Sequence, residues 1–257
     1  EKRNSRSFSI DSMSTIDVLK TINEEDSIIT GAVKAAIPEI DKTVEYTINS
    51  IKNGGRVFYI GAGTSGRLGV LDASEIPPTF SAPADYFIGI IAGGDKALRS
   101  SIEGAEDIVE NAIRDLKPYT INKMDTVIGI SCSGAASYVV SALEYARKMH
   151  AKTIYLVTNP IPYLNAKVDV VLHVNTGPEI ITGSTRMKAG TATKLVLNMI
   201  STATMIKLGK VYGNLMVDLK TVNNKLIDRG IRIISDITGI EYNQAKERLL
   251  LAKNSVK

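Results

Sequence analysis

Five short apolar runs punctuate the middle of the chain. They are RVFYIGA (56–62), YFIGII (86–91), TVIGIS (126–131), KTIYLVT (152–158) and VVLHVN (170–175). Most of them are apolar at consecutive positions instead of alternating, as is typical of strands that helices cover on both faces. The runs therefore predict five strands of a parallel sheet.

Segments with helical periodicity lie between most of these strands. Residues 100–116 separate the second strand from the third, and residues 135–150 separate the third from the fourth. This alternation predicts an α/β fold with a doubly wound sheet and right-handed crossovers. The fourth and fifth strands are joined by NPIPYLNAKVD (159–169), a proline-containing link with room for only a brief helix.

Further helices are predicted outside the sheet, towards both ends of the chain. They cover residues 14–25, 27–52, 185–208, 215–238 and 241–252. No internal repeat, low-complexity tract or Pro/Gly/Ser-rich linker divides the chain, so we expect one core. The expected divisions are an N-terminal helical segment packed on the core (1–52), a core domain (53–212) and a C-terminal helical segment (213–257).

The composition and charge of the chain argue against a nucleic-acid-binding protein and against a membrane-spanning one. Hydrophobic residues make up 44% of the chain and charged residues 23%, which is ordinary for a globular protein. The net charge is +4, and the nearest basic cluster, Lys225, Arg229 and Arg232, includes Asp228. A solvated helix face is therefore favoured over a nucleic-acid interface. No apolar run of about 18 residues predicts a membrane span.

The few cysteines and histidines do not suggest a metal site. Cys132 is the single cysteine, so no disulfide can form within the chain, which fits a reducing compartment and a cytoplasmic location. His150 and His173 lie in unrelated stretches without metal-ligand spacing. The start, EKRNSRSFSIDSMS, lacks Met and the apolar core of a signal peptide, and the end has no obvious finishing element. We expect the sequence to be a piece of a longer protein.

The glycine-rich turn after the first strand is the first candidate for chemistry. It reads GAGTSGRL (61–68), with the G-x-G-x-x-G spacing of a dinucleotide-binding turn. The acidic partner of such a turn is missing, because no carboxylate follows the second strand before Asp95. Gly63, Thr64 and Ser65 offer another use, since hydroxyls and free N–H groups at a helix start cradle phosphate. On this loop alone, a plain turn with a serine cap remains open.

A second hydroxyl-rich loop follows the third strand. Ser131, Ser133 and Gly134 lie in ISCSG, again just before a helix. Ligands of open α/β sheets bind at the carboxyl ends of strands, near the point where the strand order reverses. Two such loops are hard to explain as two caps, and together they predict one shared anion site.

A third segment, GSTRMKAGT (183–191), opens the long helix after the fifth strand. It offers the hydroxyls of Ser184 and Thr185 and the charge of Lys188. A helix N-terminus already carries partial positive charge, to which a lysine adds a full one. The alternative is a capped helix with a surface lysine.

Two glutamates are candidate acid/base groups. Glu75 lies in LDASEIPP, shortly after the first loop, and Glu103 lies in IEGAED, after the second strand. Neither has Lys or Arg at i+4, where Thr79 and Asp107 stand, so neither has a simple ion-pair role on a helix. Two such groups beside a phosphate cradle suit proton transfer on a phosphorylated sugar.

These segments resemble the N-acetylmuramic acid 6-phosphate etherase family. The matching stretches are GAGTSGRLGVLDASEIPPTF (61–80), IAGGDKALRSSIEGAEDI (91–108), GPEIITGSTRMKAGTATKLVLNMIST (177–202), LGKVYGNLMVDL (208–219) and MSTIDVLKTINEED (13–26). The resemblance covers nearly the whole chain. Its long blocks are far more specific than a three-glycine pattern.

The resemblance implies a fold and a reaction. The fold is the three-layer sugar isomerase (SIS) fold, a five-stranded parallel sheet flanked by helices, with further N- and C-terminal helices. The reaction cleaves the D-lactyl ether of N-acetylmuramic acid 6-phosphate, in cell-wall recycling, to N-acetylglucosamine 6-phosphate and D-lactate. A base removes the C2 hydrogen of the open-chain sugar, an acid protonates the lactyl oxygen leaving C3, and water then adds. No metal ion or redox cofactor is required.

The resemblance also implies site residues and an assembly. Glu75 is expected to be the proton donor and Glu103 the second acid/base residue. The expected substrate-binding residues are Gly63, Thr64, Ser65, Ser131, Ser133, Gly134, Glu179, Ser184, Thr185 and Lys188. The family often reads SGRTP where this chain reads SGAAS (133–137), so a cation is lost, which bears on the strength or the selectivity of phosphate binding. The expected assembly is a homodimer with the site near the interface, and neither nucleic acid nor membrane is an expected partner.

Three other functions remain open at this point. A non-catalytic sugar-phosphate sensor, related to glucokinase regulatory protein, is disfavoured by the presence of Glu75 and Glu103. An aldose–ketose isomerase of the SIS fold also uses a carboxylate base, but the sequence stretches that resemble the etherase family do not favour this function. A nucleotide-dependent enzyme built on the G-x-G-x-x-G turn requires NAD binding, which calorimetry tests.

Overall fold

A five-stranded parallel sheet forms the centre of the computed structural model, which describes residues 2–218, 224–252 and 256. Its order is β2-β1-β3-β4-β5. The strands are β1 (Val57–Gly61), β2 (Phe87–Ile91), β3 (Thr126–Ile130), β4 (Lys152–Val157) and β5 (Val170–His173). Each lies within one of the predicted apolar runs, so the predicted strands and their parallel pairing are confirmed.

The helices lie between the strands and at both ends of the chain. Over the described residues they are α1 (Thr15–Asp26), α2 (Ile29–Ala35), α3 (Ile37–Lys52), α4 (Gly63–Phe80), α5 (Val109–Leu116), α6 (Ser137–Lys148), α7 (Lys188–Lys207), α8 (Asn224–Thr238) and α9 (Tyr242–Leu251).

Alternate residues of the central strands face two separate helical layers. Val57 and Tyr59 of β1 belong to the core shared with α2, α3, α4 and α7. Phe58 and Ile60 belong to the opposite core, shared with α5 and α6. All four side chains are fully buried, which explains why the strand is apolar at consecutive positions. The predicted three-layer α/β architecture is confirmed.

The predicted helix over residues 27–52 is wrong in its continuity, because it breaks at Ala36 into α2 and α3. Pro38 lies in the first turn of α3, where its missing N–H costs nothing. Inside one long helix, the same proline would clash with the preceding turn and remove a hydrogen bond. The break is therefore a consequence of that proline.

The helix predicted over residues 100–116 is also shorter than expected. Only Val109–Leu116 forms an α-helix, after a single 3₁₀ turn at Ala105–Asp107. Gly104 adopts a left-handed φ of 70°, which ends any helix passing through it. No helix forms in residues 158–169, all of which are described, so the brief helix allowed for the link between β4 and β5 is absent.

The C-terminal part differs from the helix predicted over residues 215–238. A short antiparallel hairpin, β6 (Val211–Tyr212) and β7 (Leu215–Met216), precedes α8, and residues 219–223 lie outside the described part. α8 packs on α9 through a small apolar cluster around Ile231. Among the helices of the described residues, none has the length and apolar character to cross a membrane.

Strand order reverses between β1 and β3. β1 pairs with β2 on one side and with β3 on the other, so the chain moves outwards in opposite directions from these two strands. The loops that follow β1 and β3 therefore lie side by side at the carboxyl edge of the sheet. In open α/β sheets this is the place where ligands bind.

Candidate active site

The turn from β1 into α4 holds its backbone close against the sheet. A Cβ atom on Gly66 would lie 2.6 Å from Cγ1 of Ile91 and 2.7 Å from the carbonyl oxygen of Gly61. Only glycine allows this approach, which brings the start of α4 onto the end of β1. Gly63, the first residue of α4, is exposed and has a φ of 53°.

The loop after β3 uses its serine hydroxyls to turn the chain into α6. The Oγ of Ser131 accepts a hydrogen bond from the backbone N–H of Ala136 at 3.4 Å. The Oγ of Ser133 accepts one from the N–H of Ala135 at 3.2 Å. Ser131 is buried and Ser133 is half-buried, so the second hydroxyl is the more accessible to a ligand.

Cys132, in the loop after β3, contacts both the loop after β1 and the first turns of α7. Its Sγ lies 3.4 Å from the Oγ of Ser65 at the start of α4, and 3.5 Å from the Oγ1 of Thr193 on α7. Thr64 also lies near α7, because a Cβ on Gly190 would be 3.5 Å from its Cγ2. The segments that carry the predicted phosphate-binding residues therefore converge.

Glu179 determines where α7 begins. Its carboxylate oxygens accept hydrogen bonds from the N–H groups of Lys188 at 3.0 Å and Ala189 at 2.9 Å. The helix therefore begins at Lys188, while Ser184 and Thr185 lie in the preceding turn. Burial raises the pKa of Glu179, and these two hydrogen bonds only partly offset it.

Lys188 does not occupy the position expected of a phosphate-binding lysine. Its side chain is 1% exposed, and its Nζ donates to Oε2 of Glu25 on α1 at 2.5 Å. Burial opposes ionisation of Glu25, but the hydrogen bonds from Lys188 and Asn4, together with the positive charges of Lys188 and Arg6, outweigh burial and lower the pKa of Glu25. The Lys188 charge is therefore committed to Glu25 and does not line the cleft described below.

The link between β4 and β5 is the part of the site that sequence reasoning missed. The Oγ1 of Thr158 donates to the carbonyl oxygen of Cys132 at 3.0 Å, and Nδ2 of Asn159 donates to that of Ser133 at 3.1 Å. The N–H of Leu164 donates to the carbonyl oxygen of Gly134 at 2.8 Å. The only signal was positional, because TNP follows directly on the carboxyl end of a predicted central strand.

These loops enclose a cleft of about 720 Å³. It is lined by Lys2, Cys132, Ser133, Thr158, Asn159, Pro160, Ile161, Pro162, Tyr163, Asn175, Thr176, Gly177, Pro178, Glu179, Gly183, Thr185 and Ala189. Of the predicted binding residues, Ser133, Glu179 and Thr185 line this cleft directly. Gly63, Thr64, Ser65, Ser131, Gly134 and Ser184 lie in the segments that form or adjoin it.

Neither predicted acid/base glutamate lines the cleft within one chain. Glu75 is exposed on α4, about 18 Å along the helix axis from Gly63 at about 1.5 Å per residue. Glu103 is exposed in the loop after β2, where it accepts a hydrogen bond from the Oγ of Ser101 at 2.7 Å. Glu75 therefore lies apart from the cleft of its own chain. The loop that carries Glu103 contacts the start of α6, because the Oγ of Ser137 donates to the carbonyl oxygens of Glu106 at 3.4 Å and Asp107 at 3.2 Å.

No group of three or more His, Cys, Asp or Glu side chains among the described residues has an arrangement that could hold a metal ion. Cys132 is buried and carries a free thiol.

Known protein families match three parts of the chain. Residues 39–147 match the glucokinase regulatory protein N-terminal SIS domain, and residues 108–203 match the SIS domain. Residues 213–256 match the C-terminal lid domain of glucokinase regulatory protein.

Similar proteins match the chain over its full length. It is 52% identical to N-acetylmuramic acid 6-phosphate etherase 1 of Bacillus licheniformis, over 100% of this chain and 84% of that protein. It is 50% identical to N-acetylmuramic acid 6-phosphate etherase of Staphylococcus epidermidis, over 100% of this chain and 87% of that protein. Among solved structures, a phosphoheptose isomerase from Francisella tularensis matches with a TM-score of 0.59 and 20% identity, over 76% of this chain and all of that one. At that identity the structural match shows the fold alone.

Proposed function

The chain belongs to the N-acetylmuramic acid 6-phosphate etherase family, and from this premise we propose how its residues carry out the reaction. The reaction cleaves the D-lactyl ether of N-acetylmuramic acid 6-phosphate to give N-acetylglucosamine 6-phosphate and D-lactate. The observation that carries the proposal is the convergence of the loops after β1 and β3 with the start of α7 around Cys132, beside the cleft.

The substrate phosphate binds where these loops converge. Ser133 and Thr185 offer hydroxyls from the cleft wall, while Gly63, Thr64 and Ser65 bring the first turn of α4 towards the same place. A helix N-terminus attracts an anion through its free N–H groups and its dipole. Binding at the phosphate anchors the sugar away from the bond that breaks, so that binding energy can orient the reacting carbons.

Two proton transfers then break the ether. Glu103 removes the proton from C2, which the C1 aldehyde of the open-chain sugar acidifies, and the electron pair forms the C2–C3 double bond. The C3–O bond breaks, and Glu75 gives its proton to the departing lactyl oxygen. Water adds its oxygen to C3 while C2 regains a proton, which completes N-acetylglucosamine 6-phosphate. Each positioned transfer contributes about 10²–10⁴-fold to the rate.

We further propose that the active form is a homodimer in which two chains complete each site. Glu75 is exposed on α4 and lies away from the cleft of its own chain, so a second copy is the simplest source of this group. Leu71 on the same helix is 44% exposed, and Met199 and Ile206 on the neighbouring α7 are 40% and 47% exposed. Apolar side chains on two adjacent helices are suited to burial against a partner.

The domain limits and the location in the cell are also proposals. We propose an N-terminal segment (1–52), a SIS domain (53–212) and a C-terminal segment (213–257); α2 and α3 of the first share the core of the second. A cytoplasmic location is supported by the single, free cysteine, which fits a reducing compartment.

The test is to incubate the protein with N-acetylmuramic acid 6-phosphate and to measure D-lactate and N-acetylglucosamine 6-phosphate in the same sample. The proposal predicts equal amounts of the two products. An aldose–ketose isomerase would release no lactate from this compound, because C2 carries an acetamido group in place of the hydroxyl that such an enzyme converts to a ketone. A sugar-phosphate sensor would bind the compound, as calorimetry detects, and leave it unchanged.

A further inference from the structure

A lysine is buried at the first residue of α7, although the proposed reaction gives it nothing to do. The Lys188 ammonium is 1% exposed and is paired with Glu25, which is 7% exposed. Burying two such charges has a large desolvation cost, and the arrangement is stable only with good geometry and further hydrogen bonds. The residues that supply these further hydrogen bonds show which segments of the chain the Lys188–Glu25 pair joins.

The N-terminal segment supplies those hydrogen bonds. The Nδ2 of Asn4 donates to Oε2 of Glu25 at 2.7 Å and to the carbonyl oxygen of Pro178 at 3.2 Å. The Oγ of Ser7 donates to the carbonyl oxygen of Ile180 at 2.6 Å. Residues near the start of the chain are therefore bound on both sides of residue 179, about 170 positions later in the sequence.

Residue 179 is the glutamate whose carboxylate caps α7. Lys188 joins Glu179 to Glu25, because its backbone N–H donates to Glu179 and its side chain donates to Glu25. Glu179 and Thr185 line the cleft, whereas the Lys188 ammonium does not. The buried pair thus lies directly behind the cleft wall formed by residues 176–185.

We propose that Asn4, Glu25 and Lys188 form a buried positioning cluster, which fixes the cleft wall at residues 176–185 and thereby sets substrate affinity. Lys188 acts through Glu179 and Thr185 and does not touch the phosphate. The proposal rests on the proposed function only for the identity of the ligand. Whatever the ligand, residues 176–185 are expected to lose their fixed position when a member of the positioning cluster is substituted.

The test compares Lys188→Met with a control that breaks another buried ion pair. Arg56 pairs with buried Asp125 at 2.9 Å, at the amino edge of the sheet and so opposite the cleft. Arg56→Met therefore destabilises the fold without reaching the cleft wall. Both variants are assayed at a temperature at which circular dichroism shows them to be folded.

The expected result is a rise in KM for N-acetylmuramic acid 6-phosphate of roughly tenfold in Lys188→Met, with a smaller change in kcat. Amide hydrogen exchange at residues 176–185 becomes faster in the same variant. Asn4→Ala, which leaves the ion pair in place, gives a smaller change in the same direction. Arg56→Met lowers the melting temperature and leaves both KM and this exchange unchanged.

A double variant separates positioning from direct phosphate binding. Glu25→Gln combined with Lys188→Met removes both buried charges behind the wall, while Arg6, which also pairs with Glu25, is 58% exposed and keeps Glu24 as a partner. The KM of the double variant is therefore expected to lie between those of Lys188→Met and the wild type. A double variant no better than Lys188→Met would assign Lys188 to the phosphate and overturn the proposal. Unchanged exchange at residues 176–185 in both Lys188→Met and Asn4→Ala would overturn it as well.

The exchange measurement needs no substrate. If the wild-type protein released no D-lactate, the proposed function would be wrong, and the comparison of exchange between Lys188→Met and Arg56→Met would still decide the positioning role.

Discussion

At the scale of single residues, the proposed chemistry depends on two exposed carboxyls and on hydroxyls that are mostly engaged within the chain. Ser131 and Ser133 accept backbone N–H groups, and Ser65 contacts Cys132. The hydroxyls of Ser131 and Ser133 keep a proton to donate to a phosphate while their lone pairs shape the loop. In the proposed mechanism, the second chain of the dimer brings the Glu75 carboxyl to the substrate.

The glutamates are tested by substitutions that keep their shape. Glu75→Gln and Glu103→Gln should each lower kcat about 10²–10⁴-fold, because each removes one positioned proton transfer. The measurement is D-lactate release at saturating substrate. Glu106→Gln changes an exposed glutamate three positions from Glu103 and should keep wild-type kcat. A loss in Glu106→Gln equal to that in Glu103→Gln would contradict the assigned role.

The lowered pKa of Glu25 predicts a specific dependence of stability on pH. Its folded-state pKa lies below its ordinary value of 4.5, so its stabilising contribution is complete above pH 4.5 and is lost as the pH falls through the folded value. The difference in unfolding free energy between wild type and Glu25→Gln should therefore shrink below about pH 4.5. Urea unfolding at several pH values measures it. A difference that stays constant down to about pH 3 would contradict this assignment.

At the scale of elements, the sequence predicted the strands better than the helix ends. Consecutive apolar residues identify strands buried on both faces, so all five were found. Pro38 and Gly104 are present in the sequence, but whether either residue interrupts a helix depends on the conformation of the surrounding backbone. The contact of Asn159 with the loop after β3 could not be predicted from the sequence, because a tertiary hydrogen bond leaves no local sequence pattern.

The contact between the loop after β3 and the link between β4 and β5 can be tested at Gly134. This glycine has a φ of 75°, and a Cβ there would lie 2.3 Å from the Cβ of Pro162. Gly134→Ala should therefore lower the free energy of unfolding by about 3 kcal/mol and raise KM, because the cleft wall must move.

Gly54→Ala is the matched control for this prediction. Gly54 has nearly the same φ, 78°, with no atom within 4 Å of an added Cβ, so only backbone strain of about 1 kcal/mol applies. Equal destabilisation of the two variants in urea would mean that the clash with Pro162 is relieved without cost.

At the scale of the whole molecule, the proposed reaction requires a dimer. Glu75 and the cleft lie apart in one chain, and exposed apolar residues occupy the outer side of α4 and α7. Ile206→Glu should give a monomer by sedimentation, with a folded circular dichroism spectrum and little D-lactate release. Met149→Glu, at the end of α6 in the opposite helical layer, should remain dimeric and active. A monomeric Ile206→Glu with full turnover would contradict a site shared between chains.

The most direct test of the central claim is one turnover experiment in water enriched in oxygen-18. Elimination across C2 and C3, followed by addition of water, breaks the bond between C3 and the lactyl oxygen. The proposed mechanism predicts one solvent oxygen in N-acetylglucosamine 6-phosphate and no solvent oxygen in the ether-derived hydroxyl of D-lactate, as mass spectrometry of both products would measure. Solvent oxygen in that lactate hydroxyl, with none in the sugar, would mean that a different bond breaks and would contradict the proposed chemistry.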